Sequence, residues 1–264
     1  RSVSRGLGDV YKRQTLFLCI VSSVSLACFA YAGLLKLGEI LFGISVQHEA
    51  GYICAMLFII PGFPFITSGI DLAKLDMRSG IERLTYALIV ILVATMSAWI
   101  MALILHLKPV DFIKLSLSTE QWILFRLLAS FCGVFGFSIM FNSPVRLAVA
   151  AAGIGAAANT LRLELVDLAN IPPAAAAFIG ALTAGLLASL LKNKVGYPRI
   201  SVTVPSIVIM VPGLYLYRGF YNLGIMSLSV AASWFASAIL IIAALPLGLI
   251  FARILTDKAF RYCT

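Results

Sequence analysis

Charge is what this sequence has least of. Only 12% of its 264 residues are charged, about half the share of a soluble domain, and 61% are hydrophobic. That balance excludes an ordinary water-soluble fold. Histidine is nearly absent: His48 and His106 stand alone near the ends of apolar segments, so no metal-ligand spacing exists. The five cysteines are Cys19, Cys28, Cys54, Cys132 and Cys263, and no two form a C-x-x-C pair. The first four sit in apolar segments and read as small core residues, not as a disulfide framework. There is no nucleophile motif, no HExxH and no phosphate-cradling glycine loop. The expectation is a protein that is not an enzyme and uses no cofactor and no metal. The formal charge of +9 raises nucleic acid as a partner, but orientation in a membrane explains it better.

What the sequence has is long apolar runs. Eight can be drawn, at 15–35, 51–70, 79–106, 122–141, 144–163, 172–191, 201–221 and 224–254. They are roughly helix-spanning in length and lack strand alternation. Lipid offers the backbone no hydrogen bonds, so these runs form helices. The fold class is therefore all-α, a polytopic membrane protein of about eight transmembrane helices. Residues 1–14 end abruptly at the first run. Their last six, DVYKRQ, back-translate to the end sequence of a transposon used in preparing sequencing libraries. They are read as a sequencing scar and set aside, which implies a natural protein that begins earlier. Without their four basic residues and Asp9 the charge falls from +9 to +6. Residues 15–106 then form the last three helices of a first membrane repeat. Residues 107–121 are a polar linker, and 122–264 a second repeat of five helices.

The repeat shows in matched boxes. AGLL at Ala32 precedes Pro61-Gly62, and AGLL at Ala184 precedes Pro212-Gly213. Asp71-Leu72 falls on Asn222-Leu223 at the same offset of 151 as the two Pro-Gly pairs. The second run matches the seventh, so the two copies face opposite ways, and inverted repeats with broken helices are a transporter signature. Lys74, Arg78, Arg83, Arg146, Lys192, Lys194, Arg199, Arg253, Lys258 and Arg261 fall on one side of the membrane. Lys36, Lys108, Lys114, Arg126, Arg162 and Arg218 fall on the other. Ten against six places the C-terminus in the cytoplasm.

Each Pro-Gly interrupts an apolar helix. Proline removes a backbone donor, glycine eases departure from helical geometry, and the freed carbonyls are tolerated where they are buried or line a cavity. Polar residues follow each break: Thr67, Ser68 and Asp71 after the first, and Tyr215, Tyr217, Arg218 and Asn222 after the second. One reading is that the two breaks build a substrate site, with carbonyls for an ammonium and helix N-termini plus Arg218 for a carboxylate. Asp71 would carry the proton. The other is that the prolines merely kink packed helices and that Asp71 and Arg218 lie in solvated loops. AAAGIGAAA, at the centre of residues 142–168, allows close helix approach. Asn159 and Arg162 beyond it either meet the substrate, or Asn159 bonds across helices while Arg162, Glu164 and Asp167 form an interfacial ion network. Asp76, Arg78, Glu82 and Arg83 read as a solvated loop. Trp99, Trp122 and Trp234 read as interface anchors or packing, and Pro246 as a kink.

IPGFPFITSGIDLAKLD with GIERLTYAL resembles the end of the first membrane domain of the threonine/serine exporter family. FGFSIMFNSPVRLAVAAAGIGAAANTLRLEL, PAAAAFIGAL and PRISVTVPSIVIMVPGLYLYRGFYN resemble its second membrane domain. The resemblance implies a bacterial cytoplasmic-membrane exporter of two similar five-helix halves, driven by the proton gradient, with threonine or serine as substrate. Relatives with separate halves imply succinate-like dicarboxylates as the alternative, for which Arg162 and Arg218 would be the cationic poles. A passive channel and a non-transport membrane subunit are the other classes. The resemblance carries no residue roles, so Pro61, Gly62, Thr67, Ser68, Asn159, Arg162, Pro212, Gly213, Tyr215, Arg218 and Asn222 are expected at the substrate, and Asp71 in proton coupling, from the broken helices alone.

Overall fold

The computed structural model describes residues 2–43, 51–107, 117–195 and 198–257. Most of the expected linker lies outside them, as do His48, Lys258, Arg261 and Cys263. The order is α1 (Ser2–Phe42), α2 (Gly51–Met56), a 3-10 turn (Leu57–Ile59), α3 (Gly62–Ala73), α4 (Met77–Ile104) and α5 (Thr119–Met140). It continues with α6 (Val145–Asp167), α7 (Pro173–Val195), α8 (Ile200–Val208), α9 (Gly213–Gly224) and α10 (Leu228–Thr256). No strand occurs among the described residues. Among the described residues six helices are long and apolar enough to cross a membrane, or up to eight if each of two bent pairs is one span. The protein is a polytopic helical membrane protein.

The chain forms two compact units, and neither is one half of the sequence. The first comprises 1–61, 86–115 and 213–234, and the second 62–85, 116–212 and 235–264. In the first unit, Val24 and Cys28 of α1, Tyr52, Ile53 and Met56 of α2, and Tyr217 of α9 share a core with Ala94, Ala98 and Ala102 of α4. The three alanines lie four apart and form one stripe, small enough for neighbouring backbones to come close. In lipid such contact, not water exclusion, holds helices together.

In the second unit α6 is central and packs on α5, α7 and α8. The small-residue segment does what its composition predicts. A Cβ on Gly155 would stand 2.7 Å from the Ser206 carbonyl oxygen and 2.6 Å from Val134, so α6 lies directly against the α8 backbone. The Ser206 hydroxyl reaches Val202 O at 2.7 Å and Ala151 O at 3.0 Å, tying the two helices.

Two expectations change. Among the described cysteines only Cys28 is buried; Cys19, Cys54 and Cys132 are exposed on apolar helices, so these three do not fill the core. Residues 76–83 are not a loop. Asp76 caps α4, its Oδ1 accepting from Ser79 N–H at 3.3 Å, which satisfies an orphan donor of the first turn. Pro246 sits inside α10, which continues through it.

Candidate substrate site

The first break is built by three residues. The 3-10 turn closes with Ile60 N–H donating to Leu57 O at 3.1 Å. Ile60 is then extended, at φ −63° and ψ 126°, as a residue before proline must be. Pro61 follows and α3 starts at Gly62. Pro64 sits in the first turn of α3, where a missing N–H costs nothing. The chain bends here by 55°. The second break repeats the plan. α8 ends at Val208, Met210 and Val211 N–H donate to Ile207 O (2.9 Å) and Val208 O (3.2 Å), and Pro212 leads into α9 with a bend of 45°.

The glycines have a different role from the expected one. Gly62 and Gly213 are the first residues of regular helices and have no positive φ. They are needed for close approach. In the second unit a Cβ on Gly62 would lie 2.7 Å from Val208 Cγ2 and 3.2 Å from Val211 Cγ2. In the first unit a Cβ on Gly213 would lie 2.4 Å from Ile60 Cδ1 and 2.8 Å from Leu57 Cδ2. The glycine after each break thus packs on the residues before the other.

The predicted site residues fall into both units. In the second unit, α3 buries Thr67 and Ser68. Thr67 Oγ1 donates to Phe63 O (3.0 Å) or Pro64 O (3.3 Å), and Ser68 Oγ to Phe65 O at 2.8 Å, leaving their oxygens as acceptors. Asp71, one turn on, is mostly buried and has Arg83 Nη1 of α4 2.7 Å from its Oδ2. That contact is an ion pair, not a directed hydrogen bond. On α6, Asn159 Nδ2 donates to Ser130 Oγ of α5 at 2.9 Å, while its buried Oδ1 has no hydrogen-bond partner. A buried acceptor left unpaired costs about 1–3 kcal/mol. Arg162 Nη1 donates to Met210 O, at the second break, at 3.4 Å.

The expected ion network is made differently. Glu164 and Asp167 are paired by Arg126 of α5, at 2.7 Å for Glu164 Oε1. Arg162 and Glu164 are two residues apart on one helix and do not face each other. Trp122 lies under the Arg126 guanidinium, 5.1 Å from its ring centroid.

In the first unit, α9 carries the other group. The Arg218 guanidinium lies 5.0 Å from the Trp234 ring centroid, a cation–π contact. Tyr215 meets the same indole edge to face at 5.3 Å. Trp234 is therefore a platform for two expected site residues as well as packing. Asn222 Nδ2 turns back to Arg218 O at 2.8 Å. Trp99 covers Gly224, where a Cβ would lie 2.5 Å from its ring. Sequence reasoning missed the pairing of Tyr52 with Tyr217, whose buried hydroxyls share a hydrogen bond of 2.6 Å across 165 residues. It also missed Arg83 as the partner of Asp71. A polar tyrosine inside an apolar run was the available signal for the first, and the short α3–α4 connection for the second.

Long apolar helices, two spans broken at Pro-Gly and polar groups gathered on both broken spans define the class, a polytopic membrane protein with the architecture of a transporter. The chain belongs to the threonine/serine exporter family. The family ThrE matches residues 8–105, overlapping the end of the N-terminal segment set aside above. Its second model, Threonine/Serine exporter, ThrE (ThrE_2), matches residues 126–255. No curated protein and no solved structure matches the chain significantly.

Proposed function

We propose that the chain is a secondary active exporter of threonine and serine. It works by proton antiport and alternating access, in the bacterial cytoplasmic membrane with its C-terminus in the cytoplasm. The observation that carries the reading is the pair of helix breaks, each at Pro-Gly, one within each family segment. Paired breaks of inverted repeats supply irregular backbone and helix ends to a substrate. Asn159 Oδ1, buried and unpartnered, accepts from the substrate ammonium or hydroxyl. Arg162, in the same unit, serves the carboxylate. Thr67 and Ser68, also of that unit, line the path. Asp71 exchanges Arg83 for a proton, since neutralising the carboxylate releases the ion pair.

Counterflow tests the reading. Purified protein is reconstituted into proteoliposomes loaded with unlabelled threonine, and uptake of labelled threonine is followed, with succinate as the parallel arm. Transient accumulation of threonine is expected. Accumulation only with succinate reassigns the substrate to dicarboxylates, and unsaturable equilibration without counterflow makes the protein a channel.

A further inference from the structure

At one end of the second unit the cations outnumber the acids. A cavity of ≈ 350 Å³ opens there between the end of α3, the start of α8 and the end of α10. It is lined by Lys74, Arg199, Arg253 and Asp257 among apolar residues including Ile200 and Leu249. Among the described lining residues Asp257 is the single carboxylate against three cations, and it pairs with Arg253 at 3.7 Å. Asp71, one turn before Lys74, is already matched by Arg83. Arg199 is fixed by neutral groups, donating to Gly185 O and, at 2.7 Å, to Thr256 Oγ1. These hold the guanidinium in place without cancelling its charge. Burial first, and then Arg253, lower the Arg199 pKa, with Asp257 opposing them.

The imbalance selects the ligand. A zwitterionic amino acid is neutral and leaves the excess charge uncompensated. A phosphate compensates it. The apolar part of the lining, with Ile200 partly exposed beside it, suits a ligand with an apolar portion. We propose that this cavity binds the phosphate of an anionic phospholipid, with Lys74, Arg199 and Arg253 around the headgroup and Ile200 and Leu249 against its apolar part. Basic pockets between membrane helices hold such headgroups by charge at short range, so binding weakens with added salt.

The full chain, purified in detergent, is mixed in turn with phosphatidylglycerol, phosphatidylcholine, inorganic phosphate and threonine. Retained lipid is read by native mass spectrometry and thermal stability in parallel. Phosphatidylglycerol is expected to be retained over phosphatidylcholine. Lys74→Gln and Arg253→Gln should each weaken it roughly fivefold, while Lys74→Arg retains it. The Arg199 anchor is left intact so that the fold is not at issue. Equal retention of the two lipids, or undiminished retention when Lys74→Gln and Arg253→Gln are combined, overturns the proposal. So does displacement of the lipid by inorganic phosphate or threonine at equal concentration, which would assign the cavity to a soluble ligand.

Discussion

Gly62 shows how narrow the tolerance is at a single residue. Its missing Cβ would meet Val208 Cγ2 at 2.7 Å, and a valine in a helix has essentially one χ1 setting, so Val208 cannot swing aside. Gly213 faces Ile60 Cδ1 and Leu57 Cδ2, which are free ends able to turn away. Gly62→Ala should therefore cost about 1–3 kcal/mol and Gly213→Ala less, read as thermal stability in detergent. Val208→Ala added to Gly62→Ala should recover part of the loss, and strictly additive effects would remove the contact from the account. Asp71 makes the opposite case. Arg83 is half exposed, so Asp71→Asn should cost under about 1 kcal/mol of stability. Export by that variant should no longer respond to a pH gradient. A retained pH response takes Asp71 off the proton path. The first pairing was not legible in the sequence, and the second only through the short α3–α4 connection. The need for Gly62 depends on a valine 146 positions away, and Asp71 and Arg83 belong to different helices.

The breaks were legible as elements because their signal is local: proline and glycine within an apolar run. The matched offset extends further than the sequence shows. α3 and α9 have twelve residues each and end alike. Leu75 and Met226 have φ of 63° and 62°. Asp76 N–H donates to Asp71 O at 3.0 Å, and Ser227 N–H to Asn222 O at 2.9 Å. Both are Schellman-type caps. Leucine and methionine give no hint of a left-handed residue, so only geometry finds these ends. Asn142 and Asn170, also at positive φ, are by contrast residues that adopt it readily. The left-handed conformation costs a side chain with Cβ about 1–2 kcal/mol, and asparagine less. Leu75 and Met226 are 80% and 82% exposed, so replacing them forfeits little packing. Leu75→Asn and Met226→Asn should each stabilise by roughly 0.5–1 kcal/mol, seen as a higher unfolding temperature. Leu75→Ala, which keeps the Cβ, should not. A gain for alanine equal to that for asparagine would mean that the backbone there is not strained.

For the whole molecule, the chain passes from one compact unit to the other at both Pro-Gly breaks and partway along α4 and α10. Local signals mark helices, but which helices cluster depends on contacts between distant positions, such as Tyr52 with Tyr217. Topology still turns on the breaks. If each bent pair is one span, the chain crosses eight times, and the end of α1 and the start of α4 lie on opposite faces. If a bent pair is re-entrant, they lie on the same face. Charge distribution favours the first arrangement, with the basic loop after α3 in the cytoplasm. Single cysteines at Glu39 and Arg78, in a chain whose own five cysteines are replaced by alanine, separate the cases. With a membrane-impermeant maleimide, the cysteine at Glu39 should react in intact cells. The cysteine at Arg78 should react only after permeabilisation. Reaction of both in intact cells would make the first broken pair re-entrant and remove one crossing from the protein. It would also remove the opposite orientation of the two copies, on which alternating access at paired breaks depends.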